Sequence, residues 1–200
     1  MGQATSYIPF RHSIPLGVSY MELDARDFHK LMIRPTIVVS TVSPNGVSNA
    51  APISFNSPVT TGPVPLYGFC CETEHDTWIN IEGNGEFVVN LVGEEFGPLM
   101  AGLSADLPYE VSEITECGLT EEAARRVKPP RIAEAYGWIE CRMTEHVVLS
   151  HRAVWIIGEV LAVGVRDGAF DGVVDVEKVR PLNHLTGEDY VVGRKMTRFK

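Results

Sequence analysis

The sequence has no basic stripe. Its 17 Lys and Arg residues are scattered among 26 Asp and Glu, for a formal charge of -9, so neither nucleic acid nor an anionic membrane surface is an expected partner. It also lacks a long apolar run. The best candidate, Ala153 to Val165, is interrupted by Gly158 and Glu159, and no membrane-spanning segment is expected. Met1 to Gly17 carries no continuous apolar stretch of the kind a signal peptide needs, which makes the cytoplasm the expected location. The opening MGQATS fits the loose myristoylation pattern, but a pattern that short recurs by chance and carries no weight.

Several motifs are missing as well. Cys70, Cys71, Cys117 and Cys141 form no CxxC pair and no His/Cys spacing of the zinc type, so no metal site is expected. The bland reading is four reduced thiols, some of them buried; the bolder one is a redox-active thiol at Cys70 or Cys71. There is no GxGxxG after a strand and no GxxxxGK[ST], which removes the commonest ways of holding NAD or ATP. No GxSxG elbow supports a serine hydrolase.

What is present is mostly strand. Pro65 to Cys71, Glu86 to Val92, Gly137 to Leu149 and Val154 to Arg166 are β-branched or aromatic runs between turn signals. Helical stretches are short. HDTWINIEGNG should form one, with Asp76 or Thr77 as its cap and Gly83 and Gly85 as stops. EEFGPLMAGLSA may be read as a second, and LTEEAARRV has the look of a capping box without the Glu at its third place. AVWIIGEVLAVGV is apolar almost without alternation, so both faces of that strand should be covered, one by a core and the other by a helix or a second copy of the chain. A mainly β chain with a few short peripheral helices points to a closed or nearly closed barrel.

The most informative stretch is TIVVSTVSPNGVSNAAPISF, Thr36 to Phe55. It begins as a hairpin, with the turn at Ser43-Pro44-Asn45-Gly46. The returning strand then offers Asn49, Ala50, Ala51, Pro52 and Ser54 where bulky apolar side chains should stand. Alanines let a flat ring lie against the backbone, and free strand N–H and C=O groups could meet the edge of a pyrimidine-like ring. Pro52 should end the pairing, and Ser54 adds a hydroxyl. Further on, Asp76-Thr77 opens a helix whose unpaired N–H groups form an anion site. Together these features could cradle flavin mononucleotide (FMN). Equally, small residues in a strand can mark a bulge or a tight crossing, and Thr77 can be no more than a cap.

From Arg34 onward the chain resembles the flavin reductase-like, FMN-binding split-barrel family, which includes flavoredoxin. The pieces are RPTIVVSTVSPNGVSNAAPISFNS, HDTWINIEGNGEFVVNLV, LTEEAARRVKPPRIAEAYGWIECRM, IIGEV and VRPLNHLTGEDYVV, in the family's order and spacing. The resemblance implies a split β-barrel domain over residues 34–200 behind an N-terminal extension of residues 1–33. It implies a homodimer with non-covalent FMN near the subunit interface, and hydride transfer from NAD(P)H through the flavin to a small-molecule or protein electron acceptor. It places Ser40, Thr41, Asn49, Ala50 and Ala51 along the isoalloxazine ring, and Ser54, His75, Asp76 and Thr77 around the ribityl phosphate. It names no catalytic side chain. The family's KDT is His75-Asp76-Thr77 here, a titratable cation in place of a permanent one. Ala153 stands where many flavin reductases have a histidine before the GEV strand, with His151 two residues earlier, which favours the flavoredoxin-like branch. His146, His151 and His184 read as surface or hydrogen-bonded structural histidines. The alternatives are a flavin-bound electron carrier reduced by a protein partner, and a split-barrel scaffold that has lost its flavin.

Overall fold

A computed structural model describes residues 19–150, 152–193 and 195–197. The opening stretch of the chain, with its myristoylation and signal-peptide readings, lies outside the described residues, as does His151.

The hairpin forms as expected. Strands β1 (Ile37–Val42) and β2 (Ser48–Ile53) pair antiparallel, Ser40 opposite Ala50 and Thr41 opposite Asn49. Gly46 in the turn has φ 84°, a conformation that only glycine adopts without strain. The chain continues through β3 (Asn56–Thr60), β4 (Leu66–Cys71), helix α1 (Asp76–Asn84) and β5 (Glu86–Leu91). The long hairpin of β6 (Gly137–Ser150) and β7 (Ala153–Val165) completes a seven-stranded sheet in the order β2-β1-β5-β6-β7-β4-β3, antiparallel throughout. Its two edge strands, β2 and β3, are joined by Ser54 and Phe55 alone, so the sheet must curl until its edges nearly meet. Phe55 O accepts a bond from Cys70 N at 2.8 Å across that seam. This is a split β-barrel.

The barrel interior holds Ile37, Val39, Phe69, Phe87, Val89, Val154 and Ile156, with Trp78 and Ile81 of α1 plugging it. Phe69 and Phe87 meet edge to face at 5.3 Å. β1 alternates between two cores: Val39 points into the barrel, whereas Val38 joins Ala50, Phe96, Met100, Leu103, Ile114 and Ile132 in a second cluster outside it. A 3-10 turn at Glu94–Leu99, helices α2 (Met100–Leu103) and α3 (Glu113–Glu116), and residues 131–135 provide that cover. The expected helix in EEFGPLMAGLSA therefore exists as a 3-10 turn running into α2. Near the C-terminus, α4 (Val176–Val179) precedes β8 (Leu182–Thr186) and β9 (Asp189–Val192), and β8 pairs with Arg34–Pro35. A 3-10 turn at Ala25–Leu31 packs on β8, held when Arg34 donates to His29 O and Met32 O.

Three local expectations are corrected. The cap of α1 is His75, not Asp76 or Thr77, and it makes no side-chain cap bond; Gly83 lies inside the helix, and only Gly85, at φ 73°, ends it. LTEEAARRV is not helical. Glu121–Glu122 pairs with Arg131–Ile132, and the loop between them closes over Glu140. That buried carboxylate accepts from Arg125 N at 3.0 Å, Arg126 N at 2.6 Å and Arg131 Nε at 2.8 Å, which satisfies backbone donors that a helix would have used internally. Pro52 does not end the pairing, since β2 runs to Ile53. Within the chain the barrel core covers one face of β7, as expected. Val154 and Ile156 are fully buried, whereas Trp155 and Ile157 on the opposite face are partly exposed.

Candidate functional site

A cleft of about 1000 Å³ opens along the free edge of β2. Its floor and walls come from Asn49 to Phe55, Cys70 and Cys71 of β4, the start of α1, the segment after α2, Glu113 and Arg152. The backbone explains the composition of β2. Ala50 N donates away from the sheet, to Glu113 Oε2 at 3.0 Å, so the residues two apart from it also turn their backbone polar groups toward the open edge. Pro52 falls in that set, where its missing N–H costs no ladder bond. The edge is consequently rich in acceptors, with the Ala50 and Pro52 carbonyls directed outward, rather than offering alternating donors and acceptors. Its Ala50 donor is already taken by Glu113.

The cleft has two distinct ends. At one, Thr77 Oγ1 donates to Asn49 Oδ1 at 3.1 Å. At the other stands Ser54, five residues further along an extended strand, or ~16 Å at ~3.3 Å per residue. A single phosphate group cannot be shared by Thr77 and Ser54 over that span. The shape instead suits an elongated molecule, one end at the start of α1 and the other at the β2–β3 seam. Asp76 N and Thr77 N, in the first turn of a nine-residue helix, have no backbone acceptor.

Beneath the α1 end lies a continuous polar network. Asn49 Oδ1 also accepts from Thr41 Oγ1 at 3.2 Å, and Asn49 Nδ2 donates to Glu113 Oε2 at 3.2 Å. Asn80 Nδ2 donates to Thr41 Oγ1 at 3.0 Å, and Tyr109 OH donates to Asn80 Oδ1 at 2.6 Å. The hydroxyl protons of Thr41 and Thr77 are thus both committed to Asn49.

The lining is acidic: Glu72, Glu74, Asp76, Asp106 and Glu113 face one permanent cation, Arg152, and His75. Arg152 pairs with Glu72 at 3.2 Å and Glu74 at 3.8 Å. Burial pushes the Glu113 carboxyl above its ordinary range despite the bond from Ala50 N. Burial, then the neighbouring Asp106, does the same to Asp76. Burial also raises the Cys70 thiol and takes Cys71 to about 12, which leaves both as thiols at neutral pH. All four cysteines are free.

Of the residues singled out in the sequence, Asn49, Ala51, Ser54, His75, Asp76 and Thr77 border the cleft. Ser40 does not. It lies on the outer face of β1, fully buried, donating to Pro130 O at 2.5 Å and accepting from Asn90 Nδ2 at 3.0 Å. Thr41 is likewise buried and acts only through Asn49. Ala50 shares the outer face with Ser40; its backbone borders the cleft while the residue is fully buried in the second core. His146 stacks at a tilt on Trp78 at 5.1 Å, and His184 is hydrogen-bonded near Ser54. Sequence reasoning missed Glu113 and Arg152, which reach the site from 60 and 99 residues beyond the end of β2, and Arg34, which reaches Ser54 from just before β1. A charged residue flanking a strand start, as Arg34 and Arg152 do, was the only signal available.

The chain matches the model of the flavin reductase-like domain over residues 29–191. An uncharacterised protein of Aquifex aeolicus is 36% identical over 181 residues, covering 85% of this chain and 92% of its own. Among solved structures, nitrilotriacetate monooxygenase component B from Bacillus cereus superposes with a TM-score of 0.81 at 26% identity, over 92% of this chain and 98% of its own. The 2-nitrobenzoate 2-nitroreductase NbaA of Pseudomonas fluorescens gives 0.79 at 25% identity, over 91% and 95%. With more than three-quarters of its length inside one family model and the split barrel in place, this protein belongs to the flavin reductase-like family.

Proposed function

We propose that the protein is an oxidoreductase that binds FMN non-covalently in the β2-edge cleft and passes electrons from NAD(P)H to an acceptor. The observation that carries this is the shape of the cleft: an acceptor-rich strand edge with small side chains at one end, leading to an open helix N-terminus at the other. The donor set fits the group. The amides of Asp76 and Thr77 would receive the phosphate, with Arg152 and His75 as the cations within reach of that end. The outward carbonyls of Ala50 and Pro52 accept from a ring N–H, Ala51 leaves room for a flat face, and Ser54 with Phe55 closes the far end. FMN, when bound, supplies the hydride chemistry, accepting at one ring nitrogen and donating onward. The chain binds, orients and shields it; Cys70 and Cys71 stay protonated beside it.

The acidic lining supports a second reading. Five carboxylates and a net charge of -9 oppose an anionic dinucleotide, which favours an electron carrier reduced by a basic protein partner. Anaerobic mixing of the flavin-loaded protein with NADH and with NADPH separates the two. Bleaching of the flavin within seconds supports the first, and bleaching only with a protein reductase supports the second. A colourless protein that takes up no added FMN would overturn both.

We further propose that the functional unit is a homodimer. Val147, Val148 and Leu149 are each more than half exposed at the tip of the β6–β7 hairpin, and the outer face of β7 carries Trp155 and Ile157. A second copy of the chain would remove this apolar surface from water at ~25 cal/mol per Å². Sedimentation at micromolar concentration should give twice the mass of 22.0 kDa; a soluble monomer would contradict it.

A further inference from the structure

A second, smaller cavity of about 240 Å³ lies behind Ser54, sharing Pro52, Ile53, Ser54 and Ser104 with the main cleft and bounded on its other side by Thr36, His184 and Tyr190. At ~30 Å³ per water in the liquid, it is much larger than a site for one ordered water. One group in its wall, and a second just behind the wall, are costly unless something fills the cavity. Thr36 is only 5% exposed, and its Oγ1 has no hydrogen-bond partner. Arg34 is 6% exposed, and no carboxylate among the described residues pairs with it.

The bonds around Arg34 tie it to two residues of the cavity wall, Ser54 and His184, while its guanidinium lies over the Phe55 ring at 5.1 Å. Its Nη1 serves His29 O and Met32 O, and its Nη2 donates to Leu185 O at 2.5 Å and to His184 Nδ1 at 3.2 Å. Its Nε donates to Ser54 Oγ at 3.4 Å. His184 Nε2 lies 3.1 Å from Gly187 O and must carry the ring proton, so Nδ1 accepts, from both Arg34 and the Ser54 hydroxyl at 3.1 Å. All five guanidinium donors are therefore used, yet the net charge is not neutralised. Ser54 can turn its proton into the cavity without orphaning His184 Nδ1, because Arg34 Nη2 continues to donate there. The cavity would then present two hydroxyl donors, Thr36 and Ser54, in front of an uncompensated buried cation.

We propose that this cavity is an oxyanion subsite that holds the carboxylate or phosphate of a second small molecule sharing the cleft. An anionic oxygen satisfies Thr36 Oγ1, takes the turned Ser54 proton and neutralises the field of Arg34; a neutral ligand or water does only the first two. The volume admits a small anion or one ring bearing one, and excludes a dinucleotide as a whole. The inference stands whether or not the larger cleft holds a flavin.

The test is calorimetric titration of the full chain, with and without added FMN, using inorganic phosphate and benzoate as probes. At least one probe should bind with a Kd of ~1 mM or tighter. Phosphate alone would assign the subsite to a phosphoryl group, and benzoate alone to a carboxylate. Thr36→Val, which keeps the shape and removes the free hydroxyl, should weaken that binding by roughly fivefold to tenfold, with FMN affinity unchanged and the melting temperature of the anion-free protein no lower than the parent's. Arg34→Lys, whose compact charge cannot serve five acceptors, should weaken it further if it folds. Two results overturn the proposal: neither probe binding at ~50 mM, or Thr36→Val binding as tightly as the parent, which would place the anion elsewhere.

Discussion

Thr77 Oγ1 donates to Asn49 Oδ1 at 3.1 Å, so the first turn of α1 is tied to the edge strand of the barrel by a side chain that also holds Glu113. Asn49→Leu would leave two hydroxyl donors and a buried carboxylate short of partners. It should cost at least ~2 kcal/mol of stability, whereas Thr77→Val, which removes one donor, should cost ~1 kcal/mol. Urea unfolding of the two variants checks the ratio; equal losses would mean that Asn49 has no role beyond Thr77.

Glu113 makes a pH prediction of definite sign. Burial raises its folded-state pKa above the ordinary carboxylate value, so the folded state holds the proton more tightly than the unfolded chain. Its contribution to stability is most favourable below the unfolded value of ~4.3 and declines as pH rises through the folded one. Glu113→Gln removes this dependence. The stability difference between variant and parent should shift in the variant's favour from pH ~4 to ~7, measured by denaturant midpoint at each pH. A constant difference would show that the carboxylate is not desolvated.

Glu140 behaves in the opposite way. Burial acts to raise its pKa, but the bonds from Arg125 N, Arg126 N and Arg131 outweigh it and hold the carboxyl below the usual range. Its contribution is present above the unfolded value and is lost only as pH falls through the lower folded one. Glu140→Ala leaves Arg131, whose side chain is 4% exposed, with only Glu122 at 3.8 Å and the Trp138 ring as partners, and should cost ~3 to 5 kcal/mol. Thermal melts at neutral pH test this, and a loss below ~1 kcal/mol would contradict the assigned role.

The phosphate end of the cleft can be tested without catalysis. FMN should bind at least ~tenfold more tightly than riboflavin, since charge-assisted bonds at the α1 N-terminus are available only to the phosphate. Arg152→Ala should weaken FMN by a few-fold at low salt and leave riboflavin unchanged, while His75→Lys, a permanent cation, should strengthen FMN alone. Fluorescence titration of both ligands on the three proteins measures these affinities; equal binding of FMN and riboflavin by the parent would remove the assignment.

Much of the barrel could be read directly because its determinants are local. The Ser43-Pro44-Asn45-Gly46 turn sets the first hairpin, and the β-branched runs at Glu86, Gly137 and Val154 all became strands. Local pattern failed where a distant group decides the outcome. LTEEAARRV has a helical composition, but the carboxylate of Glu140 collects its backbone donors. The family resemblance placed Ser40 along the ring, and a strand buried on both faces shows no alternation that would have told which way its side chain turns. Glu113 meets Ala50 from 63 residues away, and Arg34 meets His184 from 150; no spacing rule connects such pairs.

Pro52 has one further consequence. An unpaired edge strand is a template on which a foreign chain can assemble, and β2 must keep its edge uncovered if a small molecule is to lie there. Pro52 removes one donor from that edge permanently, and Glu113 occupies the donor at Ala50. The carbonyls of an incoming strand would thus find no donors at Ala50 and Pro52, whereas a compact molecule that needs only acceptors there can still bind. The residue that seemed to interrupt the strand keeps the groove open to small molecules and closed to polypeptide.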